Sequence, residues 1–68
     1  MRTIYVVHAM RCGNPEKHSY ILLATHSGIR AMAAAEREEE ERGGKYGCDV
    51  IKFTGNESET IRKAYNEC

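Results

Sequence analysis

Hydrophobic and polar positions fall into three unlike patterns along the chain. Residues 3–10, Thr3-Ile4-Tyr5-Val6-Val7-His8-Ala9-Met10, are rich in β-branched and aromatic side chains, which fit a pleated strand. With a period of two, Ile4, Val6, His8 and Met10 share one face and Tyr5, Val7 and Ala9 the other. Apolar groups on both faces suit a central strand. Residues 12–17 read as a turn, because Gly13 and Asn14 tolerate positive φ and Pro15 donates no hydrogen bond. Residues 18–25, centred on Tyr20-Ile21-Leu22-Leu23-Ala24, form the second strand and complete a hairpin.

The pattern then changes to helical. Ser27 is suited to cap the first free N–H groups, and the Ala, Met, Glu and Arg that follow lose little rotamer freedom in a helix. Gly43-Gly44 supplies the left-handed residue that stops it, so a helix is expected over residues 28–42. Ile29, Met32, Ala33 and Ala35 give it a broad apolar side. From Glu36 to Arg42 there is no apolar residue, and the expectation is a solvated end held by pairs such as Arg37–Glu41 and Glu38–Arg42. The competing reading is an acidic knob for a basic partner, since acids near a helix C-terminus oppose the macrodipole.

Tyr46 or Gly47 through Thr54 reads as a third strand. Gly55-Asn56 breaks it, and Asn56 with Glu59 three residues on resembles a capping box. Residues 57–66 are accordingly expected as a short second helix with Ile61, Ala64 and Tyr65 on its apolar side. The result is a single α+β domain over residues 1–68 in the order β-β-α-β-α. A right-handed crossover through the long helix leaves strands two and three parallel. The simplest sheet is then three-stranded and antiparallel-based, in order 2-1-3, with the long helix on one face. Ile4, Val6, Leu22, Ile29, Met32, Ile51 and Phe53 are the expected core.

Composition narrows the function classes. A chain of 68 residues buries only roughly 60% of its unfolded surface, which leaves little room for a deep substrate pocket. No apolar run approaches bilayer length, and residues 3–10 are too short and alternating for a signal peptide. No membrane partner is expected. Cys12, Cys48 and Cys68 are odd in number and widely spaced, which favours free thiols and a cytoplasmic, reducing setting. Cys12, His18 and Cys48 gather at one end of the expected sheet, but without the paired spacing of a zinc site. A Cys12–His18 dyad lacks a third orienting residue. No phosphate loop or dinucleotide glycine pattern is present. The expectation is a non-enzymatic protein with no metal and no cofactor.

Net charge is zero, which removes the usual electrostatic argument for nucleic acid. The distribution is polar, however. Residues 1–30 carry Arg2, Arg11, Lys17 and Arg30 against Glu16 alone, whereas residues 31–68 carry six basic and nine acidic residues. A nucleic-acid binder using Arg2, Arg11, Lys17 and Arg30 on phosphates is therefore the alternative function.

Tyr5-Val6-Val7, the run Tyr20-Ile21-Leu22-Leu23-Ala24-Thr25-His26-Ser27, the Ala/Glu helix and the junction Arg42-Gly43-Gly44-Lys45-Tyr46-Gly47-Cys48-Asp49-Val50 resemble short uncharacterised proteins carried by phages and prophages. The resemblance covers residues 3–54. Some phage inhibitors of host enzymes, including a small inhibitor of bacterial RNA polymerase, have a comparable β-β-α-β layout. It implies a viral protein that acts in the host cytoplasm by modulating or inhibiting a host protein, and it carries no catalytic residues to transfer.

The first function reading is accordingly non-catalytic protein binding. Ser19, Tyr20 and Thr25 mark the outer edge of the second strand, which has no Lys, Glu or Pro to blunt it. Glu38, Glu39, Glu40 and Glu41 form the acidic turn. The partner is a host protein or a second copy through the same edge.

Overall fold

Four strands and one helix follow one another as β1 (Thr3–Arg11), β2 (Ser19–Thr25), α1 (Gly28–Glu41), β3 (Tyr46–Thr54) and β4 (Glu57–Arg62) in the computed structural model, which describes residues 2–13 and 18–64. The strands make one sheet in the order β2-β1-β3-β4, with every neighbouring pair antiparallel. This corrects the expected three strands and two helices: the sheet has four strands and the described residues contain one helix.

The correction lies in residues 57–62. Gly55-Asn56 separates two extended runs by two residues, which is a hairpin signal as much as a helix start. Gly55 takes φ +61° at the first turn position, where a type II′ hairpin selects glycine. Thr54 then faces Glu57, and pairing continues through Phe53–Ser58, Lys52–Glu59 and Ile51–Thr60. A second helix here would have left the far edge of β3 unpaired. Pairing satisfies those backbone groups, and local helix preference loses. Tyr65, part of that expected helix, lies outside the described residues, as do residues 14–17 of the expected turn over 12–17.

The long helix begins and stops on its sequence signals. Ser27 Oγ accepts the Arg30 N–H at 3.1 Å, an N-cap worth about 1 kcal/mol. Gly43 and Gly44 at φ +64° and +80° fold their N–H groups onto the carbonyls of Glu40 and Glu39. Pointing inward are Ala31 and Ala35, both fully buried. Opposite them sit Val7, Ala9, Cys48 and Val50, which the β1–β3 register pairs as Val7–Val50 and Ala9–Cys48. Small residues on both sides let helix and sheet approach closely.

The core is therefore on the other face of β1 from the expected one. Ile4 and Phe53 are cross-strand neighbours on the uncovered face, and Ile29 is 87% exposed. Leu22 and Met32 do pack against the core, partly buried. Two faces of similar hydrophobicity are separated by which one the Ala31/Ala35 stripe can reach. That depends on the β1–β2–α1 connection, not on the apolar content of either face.

Candidate protein-binding surfaces

The acidic end of α1 continues its buried stripe. Glu38 and Glu39 stand seven and eight residues after Ala31, on the same helical face. Both point at the sheet and both are neutralised there. The Tyr20 hydroxyl donates to Glu38 Oε2, and Arg42 Nε donates to the same oxygen at 3.2 Å. Arg42 Nη2 reaches the Tyr20 oxygen at 3.3 Å, and its guanidinium lies 4.7 Å from the Tyr46 ring centre. Hydrogen bonding from Tyr20, then Arg42, holds the Glu38 carboxyl below its ordinary pKa. Burial and the neighbouring Glu38 push the Tyr20 hydroxyl up.

Glu39 forms a second junction. Its carboxylate receives Arg62 Nη2 at 2.7 Å, Arg62 Nη1 at 2.9 Å and the Cys48 N–H at 3.0 Å. Arg62 Nη1 also donates to the Cys48 carbonyl at 2.8 Å. One salt bridge thus ties α1, β3 and β4 together, with only 17% and 15% of the Arg62 and Glu39 side chains exposed. The Arg62 hydrogen bonds hold the Glu39 carboxyl below its ordinary pKa. The expected Glu38–Arg42 pair forms and Glu36, Arg37, Glu40, Glu41 and Arg42 are exposed, but the expectation that residues 36–42 have nothing to bury is corrected at Glu38 and Glu39. The omitted signal was the i+7/i+8 spacing from Ala31.

Of the acidic turn, Glu40 and Glu41 remain exposed. The Tyr20–Glu38 contact brings that turn beside the start of β2. Ser19, Ile21 and Ala24 are exposed along β2, while Tyr20 and Thr25 are half-buried. Tyr20 spends its hydroxyl on Glu38, and Thr25 Oγ1 accepts the Ser27 N–H at 3.2 Å. Both side chains shape the edge from inside. What an incoming strand meets is the β2 backbone, because β2 and β4 are the outer strands. The two edges differ: β4 carries Glu57, Glu59 and Arg62, whereas β2 has no charged residue. A bulge between Val7 and His8 places Leu22 as the extra residue of β2.

Arg2 and Arg11 do not converge. Arg2 and Arg11 are exposed at opposite ends of β1, about 30 Å apart at strand rise. Arg30 is exposed on the first turn of α1, and Lys17 lies outside the described residues.

Cysteine chemistry also departs from expectation. Cys12 is disulfide-bonded, so the thiols are not all free, and a Cys12 thiolate paired with His18 is unavailable. Cys48 is a buried free thiol, pushed up to about 11 by desolvation first and by the charges of Glu39 and Glu38 next. Among the described residues no group of three His, Cys, Asp or Glu side chains is placed to hold a metal ion. No helix among them is long and apolar enough to cross a membrane. One open groove of about 570 Å³ runs between Ile29, Met32 and Ala33 of α1 and Tyr5 and Ile61 of the sheet.

Comparison with protein-family models, with curated proteins and with solved structures finds no match for this chain.

Proposed function

We propose that this chain is a small non-catalytic protein-binding module that receives an extended segment along the outer edge of β2. The observation that carries this reading is the difference between the two sheet edges. An outer strand leaves a row of unpaired N–H and C=O groups, which charges, prolines or bulges can blunt; β2 has the one bulge at Leu22 but lacks the charges. β4 carries them and β2 does not. Main-chain hydrogen bonds then supply the affinity, and exposed Ile21 and Ala24 supply side-chain contacts on alternate positions. Glu40 and Glu41 form a second, acidic contact for a basic flank of the partner.

The resemblance to short phage and prophage proteins supports a host protein as the target and inhibition or modulation as the outcome. Action in the host cytoplasm follows from that resemblance alone, because the Cys12 disulfide removes the argument from free thiols.

The test is capture from bacterial lysate by the purified chain, repeated with Ser19→Lys, with Thr25→Lys, and with Glu40→Lys plus Glu41→Lys. The expected result is a captured species that the edge variants lose while their circular dichroism is unchanged. Hydrogen exchange should show new protection of β2 amides in the complex. Folded edge variants that capture the same species as wild type, with β2 amides unprotected, would overturn the reading.

A further inference from the structure

We propose, resting on the edge reading above, that the segment received by β2 runs antiparallel to it and is polar in charge. It is acidic where it passes Arg30 and Arg37 and basic where it reaches Glu41.

The flank of α1 above β2 supplies these charges. Glu38 meets Tyr20 of β2, whereas Glu39 meets Arg62 of β4, so the helical stripe through Glu38 is the one on the β2 side. Ala34 and Arg30 precede Glu38 at four-residue spacing. Arg37 follows Arg30 by seven residues and Glu41 follows Ala34 by seven, which puts them all on that flank. Ala34 packs against the core, while Arg30, Arg37 and Glu41 are exposed. Glu38 and Glu39 each have an arginine of their own. Among the described residues Arg30, Arg37 and Glu41 enter no ion pair.

Hydrogen bonds fix the order of these charges along the edge. Thr25 Oγ1 accepts the Ser27 N–H at 3.2 Å, and Ser27 Oγ accepts the Arg30 N–H at 3.1 Å. Arg30 therefore stands at the Thr25 end of β2. Glu41 stands at the Ser19 end, one turn beyond the Tyr20–Glu38 contact. The helix rises about 16 Å from Arg30 to Glu41, and a strand covers that in about five residues. On the helix side of an added strand, side chains recur about every 7 Å, so three of them pass this row.

The helix leaves both its ends electrostatically opposed. Its first turn has no acid and holds Arg30, and its last turn has no base and ends in Glu40 and Glu41. Each is the reverse of what the macrodipole favours, and the Arg42 cap is spent on Glu38. Acid beside Arg30 and base beside Glu41 offset both. The other edge selects against the same segment, because Glu57 and Glu59 lie on β4 and Glu36 lines the groove beside Ile61. Every neighbouring pair in this sheet is antiparallel, the more stable mode per residue. The acidic part is then the N-terminal part of the segment.

The test is titration of nitrogen-15-labelled chain with three end-blocked synthetic peptides, followed by amide shifts. The forward peptide is Thr-Glu-Val-Glu-Val-Lys-Thr, the reversed one Thr-Lys-Val-Glu-Val-Glu-Thr, and the neutral one carries Gln at all three polar positions. The forward peptide should shift the β2 amides and bind at least about fivefold more tightly than the reversed one, as two exposed charge contacts exchanged for two repulsions allow. That advantage should shrink in about 0.5 M salt. Arg30→Glu with Arg37→Glu, both exposed, should remove the advantage with circular dichroism unchanged. Forward and reversed peptides that bind wild type equally, with β2 amides shifted by both, overturn the charge polarity and leave the edge reading standing. The wild-type comparison decides this even where the double variant fails to fold. If none of the three peptides shifts the β2 amides, the edge reading falls and the proposal with it.

Discussion

Arg62→Ala tests whether a single ion pair holds β4 on the fold. In the folded chain Glu39 accepts three hydrogen bonds, two of them from Arg62, and Arg62 also serves the Cys48 carbonyl. Truncating Arg62 leaves a carboxylate only 15% exposed with one backbone donor, and leaves the Cys48 carbonyl without its side-chain donor. Removing one partner of a fully buried pair costs about 3–5 kcal/mol. The edges of this pair still reach water, so about 2–3 kcal/mol is the expected loss here. A domain of this size has about 3–10 kcal/mol in total, and the melting temperature should fall by about 10–20 °C. The assay is urea and thermal unfolding followed by far-ultraviolet circular dichroism, with Glu39→Gln and the double variant closing a mutant cycle. The coupling energy should exceed about 1 kcal/mol. A melting temperature within about 2 °C of wild type would show that the pair is a solvated surface contact and that β4 is held by its ladder alone.

Other outcomes follow from the same contacts. Glu38 and Glu39 have folded pKa values below the ordinary 4.5, so their stabilisation is present above that value and is lost as pH falls through the folded ones. The urea midpoint should therefore drop steadily below about pH 4.5, and the Arg62→Ala variant should show a shallower drop; equal slopes would rule out the Glu39 contribution. Cys48, with its pKa near 11 and no exposure, should react with Ellman's reagent at pH 8 only as fast as the domain unfolds; labelling of native protein within seconds would contradict this. Val7→Ala or Val50→Ala should cost about 1.5–3 kcal/mol, while Ile29→Ala should cost under about 0.5 kcal/mol. Thermal melts that reverse this order would return the core to the face first expected from the sequence.

Signals that act within a few residues were legible. Ser27 and Gly43-Gly44 set the helix limits to within one residue, and the β-branched runs marked three strands. Longer-range choices were not. Gly55-Asn56 is at once a helix entry and a hairpin turn, and only the open flank of β3 decides between them. Likewise, nothing in residues 3–10 says whether Val6 or Val7 points at the helix. The small Ala31/Ala35 stripe is what a close-packed helix presents, and Val7, Ala9 and Cys48 are what fits beneath it. Ile29 is large and still stays 87% exposed, because close approach here selects against size. The absence of charge along Ser19–Thr25 was legible too, but not that Tyr20 and Thr25 turn half-buried while Ser19 stays exposed. Of the glutamates, Glu38 and Glu39 hold the fold together while Glu40 and Glu41 face solvent. Composition cannot divide such a run; the spacing from the buried alanines does.

The two open surfaces meet at Ile21 and Ala24, which belong both to the uncharged edge and to the uncovered face. A strand added along β2 continues the sheet and so continues that face. Under the proposed edge reading, side chains of an added strand in register with exposed Ile21 and Ala24 would fall on that same face. Backbone pairing alone tolerates many sequences, whereas apolar side chains at those positions would add contacts with Ile21 and Ala24 that charged ones would not. Extended segments with apolar residues at the alternate positions should therefore be captured more tightly than segments with Lys or Glu there, and equal capture of both would limit the contact to the backbone.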